Sequence, residues 1–560
     1  MKKKILCILL ASMIITAPAC QAKDQSIRTT ATAVMETKTT SVNTEPSIKE
    51  TPKESSDALP TASTASPNET TQQFSKLVNT IQRKKNQYDL AIKLNDEAHQ
   101  VEIDQKLTYV NNTGTDLKEI HFNMIPEAFR SKGGGVTMHS VTASGESLTM
   151  KQIDTSVYSL PLAKELKAGE SIDLDMKYTV SVPQICDRFG YEDKFYNLGN
   201  IIATPALFEN GKWLDQPYMD LGDAFYTEIA DYTATYSLPE GFTVASTGSL
   251  KNGKYVATDV RDFAFSIGYD MDELHDTIDD VDIHVLYNKA QPNLAEYTLK
   301  AAKEAVHFYN SVLGGYPYES LSVVLCSFKN SNGAIAMEYP QLVMVGSESV
   351  DDDIYGYKLG KISKEELLAK NKTTDNDPDA IPIPDDESIA FMNNMILSHV
   401  ANVAHEIAHQ WLYGIVGNDE VRHPWIDEGM TRFMECYFLH ECNLDYPEES
   451  LQLSFNILES MDEDYIENAQ KNQFNEYFCD LNKSLYDYKN NNNDYWDIYD
   501  KGASMMYHFY KTLGKDAFNK AMKEYVETFA FTEVDPQEFK DFWKSKGDFE
   551  KAIDLYLMSK

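Results

Sequence analysis

The chain has 560 residues, with 51 Lys and Arg against 87 Asp and Glu, for a formal net charge of −36. A carboxylate excess of that size repels a phosphate backbone and excludes nucleic acid as a natural partner; its plain consequence is solubility. From about residue 76 onward the chain is aromatic-rich and long enough for two or more domains, and no second run of about 18 apolar residues marks a membrane helix.

At the start, Lys2, Lys3 and Lys4 precede an apolar run from Ile5 to about Ala17. That run is too short for a resident bilayer helix, and small residues follow it, so residues 1–19 read as an export signal. Ala17-Pro18-Ala19 is an ordinary A-x-A cleavage site, which gives plain secretion. The same cut leaves Cys20 first, as in bacterial lipoproteins, which gives membrane attachment through a lipidated Cys20, although Ala17 stands where such sites carry a larger aliphatic residue. Both readings place the mature protein outside the cytoplasmic membrane. Residues 20–75 are mostly Thr, Ser, Pro, Glu and Lys; they bury too little to offset chain entropy and read as a disordered tether. Of seven cysteines, none has zinc-knuckle or C-x-x-C spacing; Cys436 and Cys442 lie close enough to pair, but nothing demands it.

Residues 76–285 read as a β-rich N-terminal domain of antiparallel strands. V-E-I-D-Q-K-L-T-Y-V (101–110) and S-I-D-L-D-M-K-Y-T-V (171–180) alternate, so Ile172, Leu174, Met176, Tyr178 and Val180 share one face. The period changes near Asn288. Residues 294–314 read as a helix ended by Gly314, and 321–328 as a strand. Residues 350–385, with D-D-D and D-N-D-P-D, look like a surface excursion, and Asn490 to Asn493 like a loop. After Pro384 the chain is strongly helical to about Gly514, which puts a catalytic domain over 286–525. A short helical tail fills 526–560, with Asp535 as N-cap and Pro536 in the first helical position.

Within V-A-H-E-I-A-H-Q-W-L-Y-G, His405 and His409 are i and i+4, and on a helix both imidazoles aim at one point. Glu428 follows after 18 intervening residues, in H-P-W-I-D-E-G-M. A helix from about Ser398 to Val416, a turn through Gly417-Asn418-Asp419 and a second helix from near Trp425 bring it back to the histidines. Two imidazoles and one carboxylate make a catalytic zinc site, one Zn²⁺ per chain, with a position left open. Glu406, beside a ligand but facing aside, is the candidate general base. His423 falls outside this geometry and reads as structural. Glu435, seven residues beyond Glu428, shares its helix face and is a candidate to orient a ligand histidine. Tyr499, in W-D-I-Y-D-K-G, is a candidate O–H donor to a tetrahedral oxyanion.

H-E-I-A-H-Q-W, the gap to W-I-D-E-G, A-M-E-Y-P and Y-D-K-G together resemble the aminopeptidase N family of zinc metallopeptidases, the gluzincin group that includes the leukotriene-processing hydrolase. The likeness runs from 87 to 520, with L-G-N near Asn200 and G-D-A-F-Y near Asp223. It implies a multidomain α+β protein: a saddle-like antiparallel β domain, then a mainly α thermolysin-like peptidase domain. It also implies His405, His409 and Glu428 as zinc ligands, Glu406 as base, Tyr499 as the residue that steadies the transition state, and Glu338 as the carboxylate that holds the substrate's α-amine. The expected activity is removal of N-terminal residues from peptide substrates, with no obligate protein partner. Four features depart from the family. G-x-M-E-N appears as Ile335-Ala336-Met337-Glu338-Tyr339, Asp427 replaces a common Asn, residues 350–385 are an insertion between the substrate edge and the zinc helix, and little chain follows the catalytic helices. A less enclosed cleft admits longer peptides, so cleavage at internal bonds is the competing expectation.

Overall fold

The computed structural model describes residues 84–329, 335–347, 351–371, 386–442, 448–471, 480–488 and 492–558. The expected export signal, Cys20 and tether lie outside these. Alternation builds the first sheet. Its strands are β1 (Asn86–Asn95), β2 (Gln100–Val110), β3 (Gly135–Ala143), β4 (Glu146–Leu148), β5 (Ser171–Ser181), β6 (Ala230–Ser237), β7 (Ser249–Lys251) and β8 (Lys254–Val260), in the order β7-β8-β6-β1-β2-β5-β3-β4. The two segments read as alternating strands, β2 and β5, pair antiparallel with Ile103 opposite Tyr178 and Leu107 opposite Leu174, all four buried. One pair is not antiparallel: β1 and β6 run parallel, Leu90 opposite Ala234. A parallel neighbour needs a long crossover, and here the intervening chain forms one further four-stranded sheet and two strands of another before returning.

A second main sheet follows, of β9 (Met271–Ile278), β10 (Val281–Asn288), β11 (Ser320–Cys326), β12 (Ala336–Met337) and β13 (Leu342–Gly346), ordered β9-β10-β11-β13-β12. Between β10 and β11 runs α1 (Pro292–Leu313), closed by Gly314 at φ 104°. This is a parallel β-α-β unit, with Val285 opposite Val323. The expected boundary at 285/286 therefore falls inside β10, because the change of period there marks a strand-to-helix switch within one unit.

The polar stretch after β13 carries α2 (Asp352–Lys358) and α3 (Lys364–Asn371). It is more than an excursion: the Asp352 carboxylate accepts from the amides of Asn293 (3.0 Å) and Leu294 (2.9 Å), capping α1 from another element. Tyr355 is buried beside Tyr297.

The helical half comprises α4 (Asp386–Ala408), α5 (Trp425–Glu441), α6 (Glu448–Gln470), α7 (Asn492–Leu513), α8 (Lys515–Phe529), α9 (Pro536–Lys546) and α10 (Glu550–Tyr556). α7 begins at Asn492, inside the stretch expected as loop, and the expected boundary at 525/526 falls inside α8. At α9 the Asp535–Glu538 capping box forms as the sequence predicts. Cys436 and Cys442 are free thiols. No helix among the described residues is long and apolar enough to cross a membrane.

Helices α5 and α7 touch backbone to backbone. A Cβ on Gly502 would lie 2.6 Å from the Gly429 Cα, and one on Gly429 would lie 2.7 Å from the Gly502 Cα. These glycines follow Glu428 and Tyr499 closely in sequence, so the crossing brings those two side chains together. Gly502→Ala forces the helices apart, an overpacking cost of about 1–3 kcal/mol. Thermal unfolding of this variant is expected to show a lowered midpoint; an unchanged midpoint would contradict the close crossing.

Candidate active site

Helix α4 delivers His405 and Glu406 and stops at Ala408, earlier than the expected Val416. His409 keeps helical register, its amide bonded to the His405 carbonyl at 3.2 Å. Beyond it the backbone groups find other partners. Val416 N bonds to Trp411 O, Arg261 Nε donates to Tyr413 O (2.8 Å), and Leu412 O accepts from His409 Nδ1 (3.0 Å). Unwinding frees the Leu412 carbonyl, which could not reach back to that ring in a continuous helix.

The second ring nitrogens fix the first. His405 Nδ1 lies 3.1 Å from Glu435 Oε2, and Glu435 is in turn ion-paired with Arg432. His409 Nδ1 also meets Thr431 Oγ1 at 3.2 Å. Both Nε2 atoms therefore face inward, 3.2 Å apart, and each is 3.3 Å from Glu428 Oε2. Tetrahedral zinc with bonds of about 2.0–2.1 Å sets neighbouring ligand atoms about 3.3–3.4 Å apart. The three observed separations are the edges of that tetrahedron, so the residues fit the ion. Among the described residues this is the one cluster whose donor atoms already converge in this way, and it holds one zinc ion. His423 is not part of it.

Around this point the site is strongly acidic. Burial pushes His405 and His409 down, yet contact with Glu428, and for His405 also with Glu435, lifts them to about 10 and about 9. Glu428 is raised by burial, but its two histidine contacts outweigh that and hold it well below the usual carboxylate range. The pocket thus demands positive charge, which a divalent cation supplies in place of imidazolium protons. Glu406 is 7% exposed and makes no hydrogen bond among the described residues. Burial raises it to about 7 against the lowering effect of both histidines.

Tyr499, on α7, donates to Glu428 Oε1 at 2.5 Å and lies 3.3 Å from the Tyr495 hydroxyl. Glu338 sits just past the edge strand β12, 5% exposed, and burial with the nearby Asp223 raises it well above its ordinary value. The residue after the second histidine ties this edge to the zinc helix. Gln410 Nε2 donates to the carbonyls of Glu338 (3.1 Å) and Tyr339 (3.2 Å), and its Oε1 accepts from Gln341 N (2.8 Å). Tyr339, at the place of the family's asparagine, instead donates to Asn200 Oδ1 at 2.6 Å, against Gly199, where a Cβ would lie 2.1 Å from the hydroxyl. Asp427, at the other departure, accepts from Asn418 Nδ2 at 2.9 Å.

All six sequence-derived residues, His405, His409, Glu428, Glu406, Tyr499 and Glu338, come together. Asp223 was missed. Its side chain is 12% exposed, paired with Arg188 at 2.6 Å, and its charge acts on Glu338, Glu428 and His409. Gly222 beside it approaches Tyr495 so closely that a Cβ would lie 2.4 Å from the hydroxyl. Its only sequence signal was the G-D-A-F-Y string. Of the supports, Glu435 is the most directly testable. Glu435→Ala frees His405 Nδ1 and leaves Arg432 with Asp500 alone, and loss of such an orienting partner weakens metal affinity about 10–100-fold. Competition against a zinc chelator measures this, and wild-type affinity in the variant would show that Glu435 does not orient the ligand.

Residues 386–557 match the family described as the Peptidase family M1 domain. A leukotriene A-4 hydrolase homolog from Botryotinia fuckeliana is 27% identical over 158 residues, 27% of this chain and 23% of that protein. Leucine aminopeptidase 2-1 from Meyerozyma guilliermondii is 25% identical over 174 residues, 30% of this chain and 27% of that one. The matched segment thus spans about a quarter of the length of these curated relatives. The M1 zinc metallopeptidase from Deinococcus radiodurans shares the fold across nearly its whole length, with TM-score 0.53 at 14% identity over 85% of this chain and 94% of that one. Residues 386–557, which carry the converging His405, His409 and Glu428, are thus similar to the Peptidase family M1 domain, and the fold is that of an M1 zinc metallopeptidase.

Proposed function

We propose that the chain is a zinc aminopeptidase that removes N-terminal residues from peptides. The observation that carries this is Glu338, a buried carboxylate at the sheet edge, stapled through Gln410 to the zinc helix itself. A carboxylate held at a fixed distance from the ion pairs with the substrate's α-ammonium, so the bond that reaches the ion is the first one. Relatives support the reading. Curated relatives include proteins named leucine aminopeptidase, and one M1 zinc metallopeptidase structure holds L-arginine.

When bound, zinc acidifies an attacking water and polarises the scissile carbonyl. His405, His409 and Glu428 hold it. Glu406, with no competing hydrogen bond and a pKa raised by burial, takes the proton from the attacking water and passes it to the leaving amine. The Tyr499 hydroxyl turns from Glu428 to the oxyanion as charge develops there. Edge strand β12 lies beside the cleft and aligns the peptide. The same proposal places the protein outside the cytoplasmic membrane, supported by Lys2 to Lys4, the apolar run behind them and Cys20. Labelling with a radioactive fatty acid is expected to mark the wild type and not Cys20→Ser; an unlabelled wild type points to plain secretion.

One peptide offered free and N-acetylated tests the exopeptidase claim. Acetylation leaves Glu338 unpaired, costing about 3 kcal/mol, or roughly 10²-fold in kcat/KM. Equal cleavage, or cleavage at internal bonds, would favour an endopeptidase. Glu406→Gln is expected to keep its zinc and lose about 10²–10⁴-fold in turnover. Tyr499→Phe is expected to lose about 10²–10³-fold with KM little changed. Near-wild-type kcat per zinc-loaded molecule in either variant would sink that residue's role.

A further inference from the structure

Hairpin β9–β10 carries a second histidine pair, remote in sequence from the M1 motifs. His275 and His284 are directly opposite in the antiparallel register. Alternation puts Glu273, His275, Asp282 and His284 on one face, because side chains two apart on a strand point the same way. The opposite face, with Leu274, Ile283 and Val285, turns toward the core. The four polar side chains are linked. His284 Nδ1 lies 2.9 Å from Glu273 Oε1, and its Nε2 lies 3.1 Å from Asp282 Oδ2. The other oxygen, Asp282 Oδ1, is buried without a hydrogen-bond partner, 3.6 Å from His275 Nδ1.

Neither carboxylate is ion-paired with Lys or Arg among the described residues; both face imidazoles alone. A salt-bridge patch would bring in a lysine, as Asp276 does with Lys303 on the other face of the same strand. Two imidazoles and two carboxylates instead form the N₂O₂ donor set that borderline divalent ions such as zinc select. The rings are stacked at 20°, with centroids 5.6 Å apart. Directly opposite strand positions hold Cβ atoms about 4.5–5.5 Å apart, so a change of rotamer turns one nitrogen of each ring toward a common ion. His275 is 66% exposed and free to rotate, and Asp282 already reaches toward both rings.

We propose that this hairpin face is a second metal site, binding one exchangeable divalent transition-metal ion through His275, His284 and Asp282, with Glu273 orienting His284. At the zinc helix the ligands are buried and locked by Glu435 and Leu412; here they are solvent-facing, so the ion binds more weakly and exchanges. The site is independent of the peptidase reading, since it shares no residue with the catalytic cluster.

Metal counting tests it without reference to activity. Purified full-length protein is dialysed against buffer with zinc in modest excess, and zinc per chain is measured by plasma mass spectrometry. Wild type is expected to hold two ions, and H275A/H284A one, with peptidase turnover retained. H409A is expected to hold one, at the hairpin. His275→Gln, a gentler change, is expected to lower affinity for the second ion about tenfold or more. A single ion in the wild type, or two in H275A/H284A, overturns the proposal. Loss of catalysis in His409→Ala with the second ion kept separates this result from any failure of the aminopeptidase assignment.

Discussion

Asp223, Glu338, Glu406 and Glu428 come from four separate segments, yet all are largely removed from water and within range of one another's charge. Removing a single carboxylate from water costs several kcal/mol unless a cation compensates it. The local supply is short: Arg188 is engaged by Asp223, and Arg432 by Glu435 and Asp500. The remaining deficit falls on the point where two imidazoles and Glu428 converge. Metal binding is therefore coupled to the stability of this half of the molecule as well as to its chemistry. The surrounding architecture, two helices crossing at glycine and a sheet edge stapled by Gln410, holds these like charges at fixed distance.

The β-rich half takes part in that work. Arg261, at the end of its sheet, donates to Tyr413 O and Thr532 O and pairs with Glu533. Its guanidinium fills the space where a Cβ on Gly417 would lie, 2.2 Å from Cζ. One side chain thus joins the turn after the zinc helix to the C-terminal segment, where Val416-Gly417 pairs with Thr532-Glu533. Asn200 meets Tyr339, and Gly222-Asp223 enters between Tyr495 and Arg188. Without this domain Glu338 would lose the Asp223–Arg188 pair beside it.

These long-range ties also separate what the sequence showed from what it hid. His405, His409 and Glu428 were legible because one helical period and one fixed gap determine their geometry, and both are local. Alternation in 101–110 and 171–180 gave their buried faces correctly for the same reason. The end of α4 was hidden, since Arg261 and Trp411, through partners at 532 and 314, decide where the carbonyls turn. Parallel pairing of β1 with β6 was hidden too, because alternation says which face is buried and nothing about direction. Glu338 lies just past a two-residue edge strand with no period to read, and only the resemblance singled it out. Asp223 had neither period nor spacing, and its meaning comes from the fold alone.

Tyr499 shows how the end of the chain bears on catalysis. Helix α7 must hold the hydroxyl within 2.5 Å of Glu428 while its backbone presses on α5, a crossing that leaves no side chain between them. Support has to come from its other faces. Phe509 packs against Trp543 and Phe549 of the tail, each with ring centroids 4.6 Å away, and the Tyr556 hydroxyl meets Ser504 at 3.1 Å and Asp462 at 2.9 Å. The last two helices thus back α7 as a buried aromatic layer. Aromatic pairs of this kind add about 0.5–1.5 kcal/mol each beyond area burial, enough to fix a helix whose active face is small and polar. The tail thus stabilises the helix that carries Tyr499.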